Sequence, residues 1–196
     1  FHRGDVYKAR GCNELSAFFR IRVQRMTGRI HHMAAIVTML ALFVFAAETV
    51  PAQTSVLSSD DRGIVLAYRP KLASVDTLET DGGACLRMYY DSHRFSAAPG
   101  APLRPETSVF FAAPEGSTPS VEMANLAWSE RTGLRIAPMP VLAEDTEGFA
   151  AETFREDRRA YALSGYRPHS YWQLREADTV DGLTTWEVVL YPVLFD

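Results

Sequence analysis

The chain has 196 residues, a length that suits one domain with short extensions. Its 20 lysine and arginine residues are outnumbered by 24 aspartates and glutamates, which gives a net charge of −4. Seven of the basic residues but only three of the acidic ones lie in residues 1–52, so the rest of the chain has a net charge of −8. No basic patch remains that would neutralise phosphates, and we expect no nucleic-acid partner.

The amino-terminal quarter of the chain has the pattern of a secretory signal. After Arg29, an apolar run from Ala34 to Ala47 precedes small residues and a predicted cleavage point between Ala52 and Gln53. The run is shorter than the roughly 20 residues that span a bilayer, so we expect no stable membrane anchor. We therefore predict non-native upstream sequence at 1–25, excluded from the fold, a bacterial signal peptide at 26–52, and a secreted or surface-exposed domain at 53–196.

Short apolar or alternating runs separated by turn residues begin at Gly63. This spacing predicts an all-β fold, an antiparallel β-sandwich. The run Gly63–Tyr68 is the first predicted strand, and the Asp81-Gly82-Gly83 turn predicts a hairpin. The continuous apolar run Ser108–Ala113 predicts a strand buried on both faces.

The second half of the chain predicts a long strand over Ser120–Glu130 and a hairpin around Asp181-Gly182. Between them, Pro138–Tyr161 is polar and acidic without a sustained period. It predicts either a long exposed loop or a loop with one short helix around Ala150–Arg158. The predicted core consists of Val65, Leu86, Phe110, Met123, Leu126, Val188 and Leu190.

Cys85 is the residue to test first for catalysis, because a thiol near a histidine can act as a nucleophile. It lies among apolar neighbours in a predicted strand, a setting typical of a buried, structural thiol. The histidines of the predicted domain, His93 and His169, have no metal-ligand spacing with it. The sequence therefore predicts no catalytic set, no metal site and no cofactor in this chain.

The stretch "PGAPLRPETSVFFAAPEGSTPSVEM" resembles the propeptide of the gingipain-type cysteine peptidases. In that family a Gly/Pro corner leads into a hydrophobic strand, a Pro/Gly turn and a long strand. Here Gly100, Pro102 and Pro105 match the corner, with one residue inserted before Pro105, and Pro114-Glu115-Gly116 matches the turn. Two later segments also resemble the family, and the similarity extends over Gly63–Asp196.

The resemblance implies a β-sandwich prodomain that assists folding and keeps a downstream cysteine protease domain latent. The catalytic residues would belong to that next domain, and this chain would be the amino-terminal part of a longer precursor. In the family, a loop after the Ala-Pro strand enters the substrate cleft, which here corresponds to Met139–Phe149. The candidate inhibitory residues are Met139, Pro140, Val141, Leu142, Ala143, Glu144, Asp145, Arg155, Arg158 and Arg159.

The charge of this segment leaves the protease specificity open. Relatives specific for basic residues use a basic side chain in the loop, whereas Met139–Phe149 contains three acidic residues and no basic one. Either the partner protease is not specific for arginine or lysine, or one of the three candidate arginines substitutes, or this homologue does not inhibit in this way.

The competing function is a non-enzymatic exported β-sandwich, either an adhesion or a carbohydrate-binding module. Exposed aromatic rings would then stack on sugars. The aromatic residues available for this role are Trp128, Tyr166, Tyr171, Trp172 and Trp186. Their spacing in predicted strands favours packing instead.

Overall fold

The computed structural model describes residues 8–10, 16–24, 54–60, 63–144 and 150–196, and most of these residues are in strands. The strands are β1 (Lys8–Arg10), β2 (Ser16–Gln24), β3 (Thr54–Asp60), β4 (Gly63–Tyr68), β5 (Leu72–Thr80), β6 (Gly83–Tyr90), β7 (Arg94–Ser96), β8 (Arg104–Pro114), β9 (Thr118–Ala127), β10 (Glu130–Thr132), β11 (Val141–Glu144), β12 (Ala150–Thr153), β13 (Trp172–Val180), β14 (Leu183–Leu190) and β15 (Leu194–Phe195). Among the described residues, one short helix, α1, is formed by Arg158–Tyr161. The predicted all-β class is confirmed.

Two four-stranded antiparallel sheets form the sandwich. One has the order β13-β14-β8-β7 and the other has the order β3-β4-β2-β9. Side chains from both sheets form one apolar core, and its fully buried members include Phe19, Leu66, Val188 and Leu190. Smaller sheets, β10-β1-β15, β5-β6 and β11-β12, complete the described strands. The predicted antiparallel sandwich is thus confirmed.

The hairpin turns follow the glycine signals. Asp81 and Gly82 connect β5 to β6, which pair antiparallel. Asp181 and Gly182 connect β13 to β14 with φ angles of 53° and 74°. Two consecutive positive φ angles are required by the tight turns that match strand twist, and aspartate followed by glycine adopts them readily. Both predicted hairpins are confirmed.

The prediction that the apolar run in β8 is buried on both faces is wrong. Phe111 is 7% exposed and packs in the core, whereas Phe110 is 61% exposed. Adjacent residues of a strand point to opposite faces, and only one face of this sheet lies against the second sheet. The apolar run therefore reflects composition and not two-sided burial.

The remaining core predictions have mixed outcomes. Val188 and Leu190 are fully buried as predicted. Met123 and Leu126 are partly buried and pack against the same core. Val65 is only half-buried, because it lies on the face of β4 opposite to Leu66, whose face packs in the sandwich core. Leu86 is also half-buried and forms a bridge to Ile136.

Excluding residues 1–25 from the fold is wrong for β2. This strand lies between β4 and β9 and pairs antiparallel with both. Phe19 and Ile21 are fully buried. The sequence of β2 has the pattern of a half-buried strand. Apolar residues occupy every second position, and apart from Phe18 the residues between them are polar; the alternating apolar residues are Ala17, Phe19, Ile21 and Val23. The predicted signal peptide and its cleavage point after Ala52 lie outside the described residues.

A second apolar cluster lies beside the sandwich and contains Cys85, Met88, Tyr90, Leu103, Ile136, Ala137 and Val193. His93 connects the two clusters. Its Nε2 lies 2.7 Å from the hydroxyl of Tyr68, in the sandwich core, and its ring contacts Tyr90 at 5.6 Å between centroids. Its Nδ1 lies 2.7 Å from the carbonyl oxygen of Asp91. A neutral imidazole satisfies both bonds, with Nδ1–H donating to Asp91 and Nε2 accepting from Tyr68.

The protein is expected to lose stability as the pH falls below about 6.5, in part because of His93. Burial lowers the pKa of His93 below its ordinary value, outweighing the opposite effect of Asp91. The His93 imidazole therefore binds a proton more readily in the unfolded state than in the folded state. Its contribution to stability is complete above the pKa of the unfolded state and is lost as the pH falls below that value. Unfolding free energies measured between pH 7 and 5 should fall less steeply in His93→Gln, by up to about 1.4 kcal/mol per pH unit. The exposed His169, replaced in the same way, is the control; equal slopes in all three proteins would contradict the assignment.

No helix within the described ranges has the length and apolar character needed to cross a bilayer.

Candidate functional site

The candidate inhibitory segment is a β-hairpin rather than an irregular loop. Strands β11 and β12 pair antiparallel from Val141 opposite Thr153 to Glu144 opposite Ala150. Leu142 and Ala143 lie within β11, and Asp145 and the rest of the connection, 145–149, lie outside the described residues. The alternative of a helix around Ala150–Arg158 is wrong, because strand β12 occupies its first half and α1 begins only at Arg158.

The Gly/Pro corner before β8 holds both ends of this hairpin. At the entry, Met139 N donates to Ala101 O at 2.7 Å, and Gly100 N donates to Met139 O at 2.8 Å. At the exit, Asp157 N donates to Gly100 O at 2.9 Å. Pro102 bridges Pro138, so Pro140 and β11 follow directly from this contact.

Gly100 is required at this junction for two reasons. Its φ of +80° lies in the left-handed region, which residues other than glycine rarely adopt. A Cβ at this position would also lie 3.0 Å from Arg155 O and from Asp157 N. The backbone that follows β12 therefore approaches the corner so closely that a side chain here would make tighter contacts than ordinary van der Waals packing. The glycine of the corner motif fixes the position of the hairpin.

A buried ion pair connects the hairpin exit to the β5–β6 turn. The Arg135 guanidinium donates to a Glu156 carboxylate oxygen and to Gly82 O. Thr80 Oγ1 donates to the other Glu156 oxygen at 3.1 Å. The Glu156 side chain is 5% exposed and the Arg135 side chain is 25% exposed. A carboxylate so buried is stabilised only by such charged and polar partners.

A second arginine anchors β12. Arg87, on β6, forms an ion pair with Glu152 at 3.1 Å. Its guanidinium carbon lies 5.1 Å from the ring centroid of Tyr89, 5.3 Å from that of Phe95 and 5.7 Å from that of Phe154. Stacking on these rings restricts the guanidinium and directs it at β12. We call Gly100, Arg135, Glu156, Arg87 and Glu152 the hairpin base.

The three candidate arginines lie at the exit of the hairpin and not at its tip. Arg155 follows β12, and Arg158 and Arg159 are in α1, whose first turn is capped by Asp157 accepting from Arg159 N at 2.9 Å. All three are exposed, and none forms an ion pair with another described residue. They are therefore cations placed beside the hairpin base and accessible to a partner.

Cys85 is buried, as predicted, at 1% exposure. Its Sγ donates to Leu78 O at 3.3 Å. Burial and the negative charge of Glu156 raise the pKa of the thiol. A raised pKa disfavours the thiolate, which is the nucleophilic form. Cys85 therefore has the properties of a structural residue, and the described residues contain no cluster of His, Cys, Asp and Glu suited to a metal ion.

The sequence predicted a loop over this segment, and neither the strand pairing of the hairpin nor the residues that hold it was predicted. Arg135 was visible as one charge within the apolar run Leu134–Ala137, a pattern that indicates a buried partner. Glu156 and Arg87 had no such signal, because their partners are 21 and 65 residues distant along the chain.

The comparisons with known proteins concern structure. No protein-family model matches the sequence, and no curated protein matches it. A chain in a structure of gingipain K from Porphyromonas gingivalis, which addresses its zymogenic latency, matches with a TM-score of 0.50 at 15% identity, over 72% of this chain and 85% of that one. A chain in the complex of the pro- and mature domains of RgpB from the same organism has a TM-score of 0.48 at 12% identity, over 73% and 81%. The first likeness confirms the predicted resemblance at the level of the fold.

Proposed function

We propose that this chain is the prodomain of a secreted, gingipain-type cysteine endopeptidase precursor. It assists folding of the downstream protease domain and keeps that domain latent. The fold shared with a chain of gingipain K supports this proposal, as does the order of the corner, turn and strand motifs in the sequence. The chain itself contributes no catalytic residues, and the endopeptidase activity belongs to the domain that follows.

The hairpin held at both ends is the observation that carries the mechanism. A segment that enters a substrate cleft loses conformational entropy unless it is already ordered. Here the corner at Gly100 and the two arginine contacts fix both strands before any partner binds. The hairpin therefore meets a cleft at little additional entropic cost. Its backbone is extended, as a substrate's is when it pairs with a cleft wall.

The arginines beside the hairpin base would contact a partner that prefers basic residues. The acidic residues Glu144 and Asp145 would instead suit a protease pocket that does not prefer basic residues. We propose export through the signal-like segment 26–52, since a prodomain travels with its protease.

A carbohydrate-binding module is less well supported by the aromatic positions. Tyr171 is part of the sandwich core, and Tyr166, Trp172 and Trp186 pack against it. Trp128 is 42% exposed. A single exposed ring among these five candidates offers less stacking surface than the row of rings on which such a module depends.

The proposal predicts that the purified protein inhibits, in trans, the cysteine protease encoded downstream of Asp196. Replacing residues 141–147 by glycine and serine should raise the inhibition constant at least tenfold, about 1.4 kcal/mol of binding free energy. Replacing Arg155, Arg158 and Arg159 together by alanine should raise it as well if the protease is specific for basic residues. Residual activity measured against inhibitor concentration gives each constant.

Two exposed positions provide controls. Val180→Ser lies at the end of a different hairpin, and Arg69→Ala removes an exposed arginine elsewhere. Both should inhibit like the parent protein. A stop codon or a further sandwich repeat after Asp196 would refute the proposed function, whereas equal inhibition by all variants would refute the hairpin mechanism alone.

A further inference from the structure

β2 completes the second sheet by inserting between two strands that come later in the chain. It pairs with β4 from Ala17 to Arg22 and with β9 from Ser16 to Gln24. Without it, β4 and β9 would each present an unpaired row of backbone N–H and C=O groups. Such edges bind extended peptides by adding a strand.

The two faces of the strand provide side-chain recognition. On the inward face, Phe19 and Ile21 are fully buried in the core shared with the other sheet. On the outward face, Arg22 forms an ion pair with Glu122 of β9 at 3.2 Å, and both side chains are about half exposed. The space between β4 and β9 therefore selects a peptide with alternating apolar and basic residues.

β2 is followed in the chain by β3, which lies on the far side of β4. The connection, 25–53, contains the predicted cleavage point after Ala52. Any cut in it would leave β2 attached through its own sheet and through β1, which pairs with β10 and β15. A flexible tether supplies an effective concentration on the order of millimolar, so a strand held weakly would leave once that tether is cut. A strand bonded along both edges, with two large side chains buried, would stay.

We propose that the space between β4 and β9 is a binding site for an extended peptide of alternating apolar and basic residues. Ser16–Gln24 occupies it, held by the sheet and not by its covalent connection to β3. This site depends only on the sheet and is independent of the proposed protease partner.

The full-length chain with a site-specific protease sequence inserted between Gly28 and Arg29 tests the proposal. After cutting, the two pieces should co-elute in gel filtration under native conditions and separate in guanidinium chloride. Elution of the amino-terminal piece alone under native conditions, with the melting temperature of the larger piece unchanged, would overturn the proposal.

Peptide exchange provides the specificity test on the same cut protein. A labelled peptide of residues 15–25 should replace the bound piece, and its Phe19→Asp form should compete about 10- to 100-fold less well. A peptide with Arg20→Lys, which keeps the positive charge at an exposed position, is the matched control and should compete like the native peptide. Equal competition by the three peptides would show that the buried face does not recognise the strand, and would refute the site. The measurement requires no substitution in the full-length chain.

Discussion

Replacing Phe111 by alanine is expected to lower the free energy of unfolding by about 3–5 kcal/mol, the range for large-to-small changes at a buried phenylalanine. Phe111 is 7% exposed, lies opposite Trp186 on β14 and packs between the two sheets of the sandwich. Phe110→Ala should cost less than about 1 kcal/mol, because that ring is already mostly in water.

The two variants are matched in residue type, strand and sequence neighbourhood. The difference between their losses of unfolding free energy therefore reports only which face of the sheet each ring occupies. Urea unfolding of both proteins, with similar dependence on denaturant concentration, gives the two losses. A loss for Phe110→Ala as large as that for Phe111→Ala would mean that both faces of β8 are covered.

The sequence signals that predicted the fold are local ones. A glycine with positive φ has few substitutes, so Asp181-Gly182 identifies a tight turn without reference to the rest of the chain. Alternation within β14 likewise predicts that Val188 and Leu190 face the sandwich core, and they do, although Val189 between them is buried as well. Turns and alternation depend on residues adjacent along the chain, and a sequence shows these directly.

The features that sequence reasoning missed depend on distant partners. In β8 the apolar run does not show whether a second layer covers the outer face, and Phe110 remains exposed. In β11 and β12 the strands have only four residues each, too few to show an alternating apolar pattern. The hairpin base joins residues from β6, the Gly/Pro corner and the hairpin exit, and no single stretch contains it.

β2 shows how one local signal can mislead about a neighbouring segment. The apolar run after Arg29 predicts a signal peptide, and residues 1–25, which precede it, are therefore predicted to lie outside the fold. The strand before the run nevertheless supplies Phe19 and Ile21 to the core. A protein cleaved after Ala52 that loses β2 would keep β4 and β9 without the strand between them. Export and an intact second sheet are therefore linked through the fate of Ser16–Gln24.

Replacing Arg135 by alanine is expected to release the hairpin exit, because it leaves the Glu156 carboxylate buried without its cation. Loss of one partner of a buried ion pair costs about 3–5 kcal/mol, and the lower end applies here since Arg135 is partly exposed. The cost should appear as local opening, since the pair connects the hairpin to the β5–β6 turn and not the two sheets to each other. Amide hydrogen exchange of β11 and β12 should become about 100-fold faster, while β14 keeps its protection.

Two further variants separate the buried charge from the loss of a side chain. Arg135→Met combined with Glu156→Met removes both charges, and should accelerate exchange less than Arg135→Met alone, because no uncompensated carboxylate remains. Arg22→Ala breaks an ion pair with both partners about half exposed and should cost less than about 1 kcal/mol. Uniform loss of protection over β11, β12 and β14 in Arg135→Ala would show instead that the pair stabilises the whole sandwich. The hairpin would then unfold together with the sandwich and not as a separate local unit.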